Sequence, residues 1–125
     1  MFVTRVITDG GLKGTDSGFS VDIRVPWYRS LPLSTVSVPA LAIDGERISQ
    51  SAISFQVNGM IYALDEISQH PEVWWFVLDS AFLIVKGKAL EAGSKHVVSV
   101  TVGIKPPYIP GFYRLTECTK QLTAH

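Results

Sequence analysis

The sequence predicts an all-β protein, an antiparallel β-sandwich of immunoglobulin-like general architecture, folded as one domain over residues 1–125. Three observations predict it. Apolar and polar residues alternate with a strict period of two along much of the chain, which marks half-buried strands. Asp-Gly and Asn-Gly pairs stand between such runs at hairpin spacing. No apolar pattern of helical period and useful length competes. A small closed barrel is the alternative arrangement of the same strands.

Taken in order, "DGGLKGTDSG" (residues 9–18) reads as a flexible, glycine-rich connection between the first two strands. It lacks the Lys-Ser/Thr ending and the following helix of a phosphate loop. "FSVDIRV" then sets Phe19, Val21, Ile23 and Val25 on one face and Ser20, Asp22 and Arg24 on the other. "VSVPALAI" (residues 36–43) is a second extended run, in which Pro39 removes a ladder donor and so marks an edge or a bulge. Asp44-Gly45 follows as a type I′ turn. "ISFQV", Asn58-Gly59 and "MIYAL" form the strongest hairpin signal. "DEISQHPEV" breaks the alternation and predicts a short helical turn ending before Pro71. "WWFVL" and "AFLIVKG" read as apolar strands bent at Asp79-Ser80, and "EAGSK" (residues 91–95) as a turn. In "HVVSVTVGIK", Val98, Val100, Val102 and Ile104 face one way and Ser99, Thr101 and Gly103 the other. "PPYIPGFY" ends that ladder, and residues 114–125 form a polar tail without a clear pattern.

Composition excludes several classes of function. Hydrophobic residues make up 46% of the chain and charged residues 18%, which fits a compact fold and not a disordered one. Eleven basic and eleven acidic residues give a net charge of zero, with no like-charge cluster to suit nucleic acid or an anionic membrane. A near-neutral, apolar chain also lacks the repulsion that keeps monomers apart, which favours a partner surface. Cys118 is the only cysteine, so neither an internal disulfide nor a four-thiolate zinc site can form. "MFVTRVITDGG" lacks the basic and apolar regions of a secretory leader. The longest apolar stretch, residues 73–85, is broken by Asp79 and Ser80 and is too short to span a bilayer. The expected location is the cytoplasm.

A search for catalytic groups returns little. His70 and Glu72 form a His-x-Glu pair without the Pro-Cys-x-x-Cys that zinc deaminases need. Asp65 and Glu66 suit the start of the short helical turn better than joint action on one substrate atom. His70, His96 and His125 show no ligand spacing, no serine has a nucleophile-elbow context, and Cys118 has no evident basic partner. The expectation is therefore no catalytic residue, no metal ligand and no cofactor bound by this chain.

The aromatic residues carry more information. Trp74 and Trp75 are consecutive in an extended segment, so one must face away from the side the other faces. "RVPWYRSLPLS" (residues 24–34) and "PPYIPGFY" (residues 106–113) are both bracketed by proline and rich in the side chains of binding hot spots. They predict a partner contact through Trp27, Tyr28, Arg29, Leu31, Pro32, Leu33, Tyr108, Ile109, Phe112 and Tyr113. Two rival readings remain. A carbohydrate-binding module would display Trp27, Tyr28, Trp74 or Trp75, and a stand-alone metal enzyme would use His70, Glu72 and His96.

"GFSVDIRVPWYRSLPLSTV", "IDGE", "ISFQVNGMIYALDEI", "WWF" and "VSVTVGIKPPYIP" together resemble the small (β) subunit of bacterial C-glycoside deglycosidases. The resemblance covers residues 18–110, with its most specific part at residues 24–34, where Ser30 stands at a position that would be glycine. It implies a non-catalytic subunit of a hetero-oligomer of αβ pairs. The implied partner is a larger α subunit, a TIM barrel similar to sugar-phosphate isomerases and epimerases, holding a divalent metal, commonly manganese. It also implies cleavage of the carbon–carbon bond between a 3-oxo-glucosyl unit and an aromatic aglycone of flavonoid type, by proton abstraction and β-elimination. A separate oxidoreductase would make the 3-oxo sugar.

Overall fold

A computed structural model describes residues 6–125. The reading of the first residues as free of a secretory leader rests on positions 1–5, which lie outside the described residues. Eleven strands follow in chain order: β1 (Ile7–Gly14), β2 (Gly18–Ile23), β3 (Leu31–Pro32), β4 (Val36–Ile43), β5 (Glu46–Arg47), β6 (Ile53–Val57), β7 (Met60–Ala63), β8 (Trp74–Trp75), β9 (Ala81–Lys86), β10 (Lys95–Ile104) and β11 (Arg114–Thr123). One sheet has the order β1-β2-β9-β6-β7, the second β11-β10-β4-β5, and β3 and β8 make a two-stranded ribbon. Every pairing is antiparallel. The predicted all-β sandwich is what forms. No described helix is long and apolar enough to cross a membrane.

The two-residue period explains the core. Phe19, Val21 and Ile23 of β2, Phe55 of β6 and Leu83 of β9 point inward from the first sheet and are fully buried. Leu41 and Ile43 of β4 and Val98, Val100, Val102 and Ile104 of β10 meet them from the second, in one continuous cluster. Removing these side chains from water supplies the main stabilising free energy, about 1.5–3 kcal/mol for each fully buried aliphatic or Phe side chain. Both two-residue turns have the predicted form, with positive φ at Asp44 and Gly45 and at Asn58 and Gly59. Pro39 sits in a bulge where two residues of β4 oppose one of β10, and the Gln50 side chain donates to the Val38 and Pro39 carbonyls at 3.0 and 3.1 Å. The helical turn predicted ahead of Pro71 is a 3₁₀ helix, Leu64–Gln69.

Three expectations fail for identifiable reasons. The glycine-rich segment is not a flexible connection: most of it is strand β1, with Leu12 fully buried. Its glycines serve a bulge, where Gly10 takes φ +68°, and close packing, where a Cβ on Gly18 would lie 1.9 Å from the Val85 carbonyl oxygen. The connection itself is a three-residue turn, tied by the Gly18 N–H donating to Thr15 Oγ1 at 3.0 Å. The polar tail is strand β11, ten residues long, paired with the whole of β10. It hid because its inward residues, Thr116, Cys118, Leu122 and Ala124, are mostly small or polar. Of "WWFVL" only Trp74 and Trp75 are strand. The Asp79 N–H donates to the Phe76 carbonyl at 2.9 Å and turns the chain.

Thr116 faces the core at 2% exposure, and its hydroxyl has no hydrogen-bond partner among the described residues. A buried, unpaired hydroxyl carries a desolvation penalty that a methyl group does not. Thr116→Val is expected to raise stability by about 1 kcal/mol, read as an upward shift of the urea midpoint at constant slope. A lower midpoint would mean that the hydroxyl is satisfied.

Candidate partner interface

The register places the C-terminal ends of β2, β6 and β10 and the N-terminal ends of β4, β7, β9 and β11 at one end of the sandwich. Three loops cover this end: residues 24–35, residues 74–80 and residues 105–113. They are bound to one another. The Val77 N–H donates to Ser30 Oγ at 2.8 Å, Arg24 Nη1 donates to the Leu78 carbonyl at 2.6 Å, and the Lys105 N–H donates to the Thr35 carbonyl at 2.8 Å. Ser30 thus holds a neighbouring loop by a hydroxyl that glycine lacks. The turn of the β6–β7 hairpin joins in, with Asn58 Nδ2 donating to the Trp74 carbonyl at 2.9 Å.

Most of the large apolar side chains left exposed are gathered here. Met60 and Ile61 lie on the β7 edge, and Trp74, Phe76 and Leu78 on the covering loop, with Leu78 82% exposed. Tyr28, Tyr108, Tyr113 and Leu115 extend the patch over the second sheet, and among the described residues only Val97 of the exposed large apolar side chains lies apart. The opposite end is polar: Lys88 pairs with Glu46 at 2.8 Å and His96 with Asp44 at 2.6 Å, beside the Asp44-Gly45 turn. The His96 hydrogen bond, followed by the Val97 N–H, holds the Asp44 carboxyl below its ordinary value. Exposed apolar side chains gathered at one end of a fold make that end a candidate interaction surface.

The two proline-bracketed loops converge. Trp27 Nε1 donates to the Tyr108 hydroxyl, and the Trp27 ring lies 4.9 Å from that of Tyr28 and 5.6 Å from that of Phe112. The Arg29 guanidinium lies over the Tyr28 and Tyr108 rings at 5.7 and 5.4 Å, and the Lys105 ammonium over Tyr113 at 5.4 Å.

The predicted contact residues divide. Tyr28, Arg29, Tyr108 and Tyr113 are exposed, and Ile109 and Phe112 are half-buried against the core. Trp27, Leu31, Pro32 and Leu33 are buried in the chain's own core, so these four hold the loop and do not face outward. The sugar-binding reading loses Trp27 and Trp75 to the core in the same way. Met60, Ile61, Phe76, Leu78 and Leu115 are exposed at the same end and are not among the residues the sequence singled out. For Phe76 and Leu78 a signal existed: an apolar run continuing past Trp74 in extended geometry cannot bury every side chain.

The metal-enzyme reading fails on geometry. His70 is held by Glu72 at 2.8 Å and Glu66 at 3.5 Å, whereas His96 sits between Ser94 and Asp44. Among the described residues no group of three or more His, Cys, Asp or Glu side chains is arranged to hold a metal ion.

The sequence profile described as C-glycoside deglycosidase beta subunit matches residues 1–108. This chain belongs to that family. Among similar proteins is the 3′-dehydrocarminate deglycosidase beta subunit of Microbacterium sp, 37% identical over 88% of this chain and 83% of its own. The C-glycoside deglycosidase beta subunits of Microbacterium trichothecenolyticum and Arthrobacter globiformis are 34% and 32% identical, each over 87% of this chain and over 82% and 83% of theirs. The family match ends within the 105–113 loop, so β11 lies beyond it.

At the end of the 3₁₀ helix, the hydrogen bond to Glu72, then that to Glu66, raises the His70 pKa above its ordinary 6.5. Glu66 is lowered, first by the Ala63 N–H at 2.8 Å and then by His70, and Glu72 is lowered chiefly by His70. The His70 contribution to folding is full below pH 6.5 and is lost as pH rises through the higher folded value. The carboxylates contribute above pH 4.5 and lose that as pH falls through their lowered values. The segment from Ala63 to Glu72 is therefore expected to be tightest between about pH 4.5 and 6.5. Proton NMR titration of His70 with amide exchange at Ala63 checks this, and a His70 midpoint at or below 6.5 would contradict it.

Proposed function

We propose that this chain is the β subunit of a C-glycoside deglycosidase complex, and that its apolar end docks on a catalytic α subunit. The observation that carries the reading is the segregation of exposed apolar side chains onto one loop-covered end of the sandwich. Burying a side chain such as Leu78 against a partner is worth about 1.5–3 kcal/mol, and obligate subunit contacts are built from such apolar patches. Two of the three covering loops are stiffened by Pro26, Pro32, Pro106, Pro107 and Pro110 and anchored by buried Trp27, Leu31 and Leu33, and the third is tied to them through Ser30 and Arg24, so docking orders little further chain.

In this reading the α subunit, an isomerase-like TIM barrel, supplies the general base and a divalent metal such as manganese. A ketone at C3 of the sugar acidifies the C2 proton, and a metal ion stabilises the negative charge left when a base removes it. The aromatic aglycone then leaves from C1 by β-elimination. The residues of this chain add no group to that step: they hold the partner in its active shape, in the cytoplasm.

Co-expression with the α subunit tests the proposal. The wild-type chain is expected to co-purify with the partner, and alone to be folded and inactive. Phe76→Asp with Leu78→Asp, both exposed, is expected to leave the fold unchanged by circular dichroism and to lower assembly at least 100-fold, since each substitution buries an unpaired charge. Undiminished assembly of that variant would remove this end from the interface.

A further inference from the structure

We propose that Arg29 is the receptor for a carboxylate on the partner subunit, seated over the Tyr28 and Tyr108 rings. This rests on the docking reading above and names the chemistry that the partner must bring. The Arg29 guanidinium lies 5.7 Å from one ring centroid and 5.4 Å from the other. These contacts set the guanidinium against two aromatic rings, and its N–H groups make no hydrogen bond or ion pair with the described residues. A guanidinium held in this way is oriented before binding, and its planar donor fork matches the two oxygens of a carboxylate. The platform is itself braced: Trp27, buried, donates to the Tyr108 hydroxyl and packs on Tyr28.

No acid in these loops competes for the position. Residues 24–35 and 105–114 carry Arg24, Arg29, Lys105 and Arg114 and not one Asp or Glu, although the whole chain has net charge zero. The third covering loop, residues 74–80, adds only Asp79, so the docking end keeps a cationic excess within its apolar patch, and the complementary partner surface is acidic. Aromatic surroundings lower the local dielectric once the interface closes, so one Arg–carboxylate pair there counts for more than several on the rim. The occupant is an Asp or Glu side chain of the α subunit.

The test uses the purified αβ complex, with dissociation on dilution followed by sedimentation. Arg29→Met is expected to weaken assembly about 10- to 100-fold, and Arg29→Lys to recover little of this, because an ammonium cannot bind both oxygens in one plane. Tyr28→Phe, which keeps the ring, is expected to assemble as wild type. Raising salt from about 50 to about 500 mM should weaken the wild-type complex more than the Arg29→Met complex. Arg29 variants that assemble within about twofold of wild type, with the same salt response, would overturn the receptor and leave the docking reading standing. A wild-type chain with no affinity for the α subunit would overturn both. If Arg29→Met left assembly intact but raised KM for anionic more than neutral aglycones, the carboxylate would belong to the substrate and the proposal would fail. It would fail equally if the isolated chain self-associated through Arg29.

Discussion

The short β3–β8 ribbon closes one end of the sandwich, and most of what distinguishes this surface depends on it. Leu31 pairs with Trp75 and Pro32 with Trp74, bringing together two loops from distant parts of the chain. Trp75 is fully buried, edge-on to Phe55 at 5.5 Å, and its indole N–H donates to the Asp79 carbonyl at 3.1 Å. With Leu31 and Leu33, it plugs the core between the two sheets. Extended backbone sends neighbouring side chains to opposite sides, so driving Trp75 inward forces Trp74 outward. An apolar exposed end is thus a geometric consequence of an apolar plug built from strand.

Charge is arranged to match. The far end of the sandwich carries His96–Asp44 and Lys88–Glu46, pairs whose exposure makes them weak contributors to stability but keeps that end hydrated. The ribbon end carries cations that sit over tyrosine rings. A chain neutral overall is therefore not uniform: one end is polar, with paired charges, and the other is apolar, with cations over aromatic rings. The same division leaves the described residues without a cluster of metal-binding side chains, because the titratable groups pair off separately, His70 with two glutamates and His96 with an aspartate.

Stiffness has two sources here, and they differ in kind. Proline limits the backbone of the covering loops before any contact forms, lowering the entropy of the unpaired chain. Cross-loop contacts then fix what proline leaves free: Ser30 to Val77, Arg24 to Leu78, Asn58 to Trp74, Trp27 to Tyr108. A surface prepared this far in the free chain loses little freedom on assembly.

The sequence by itself determined the all-β class, the Asp44-Gly45 and Asn58-Gly59 turns, the inward faces of β2 and β10, and the short helical turn before Pro71. Each is a local pattern of alternation, turn chemistry or proline restriction, and such patterns act within a few residues. The family resemblance was legible in the same way, through contiguous motifs. Strand β11 was not, because its pairing partner, and not its own composition, makes it a strand. Nor was the strand hidden in the glycine-rich segment, whose need for missing Cβ atoms appears only where Asp22 packs on Gly11 and the Leu90 carbonyl on Gly14. The division of residues 27–33 into buried anchors and exposed Tyr28 and Arg29 was likewise settled by tertiary structure. Which aromatic side chain fills the core and which stays exposed depends on the second loop that folds against it, and that loop is more than 40 residues away in the chain.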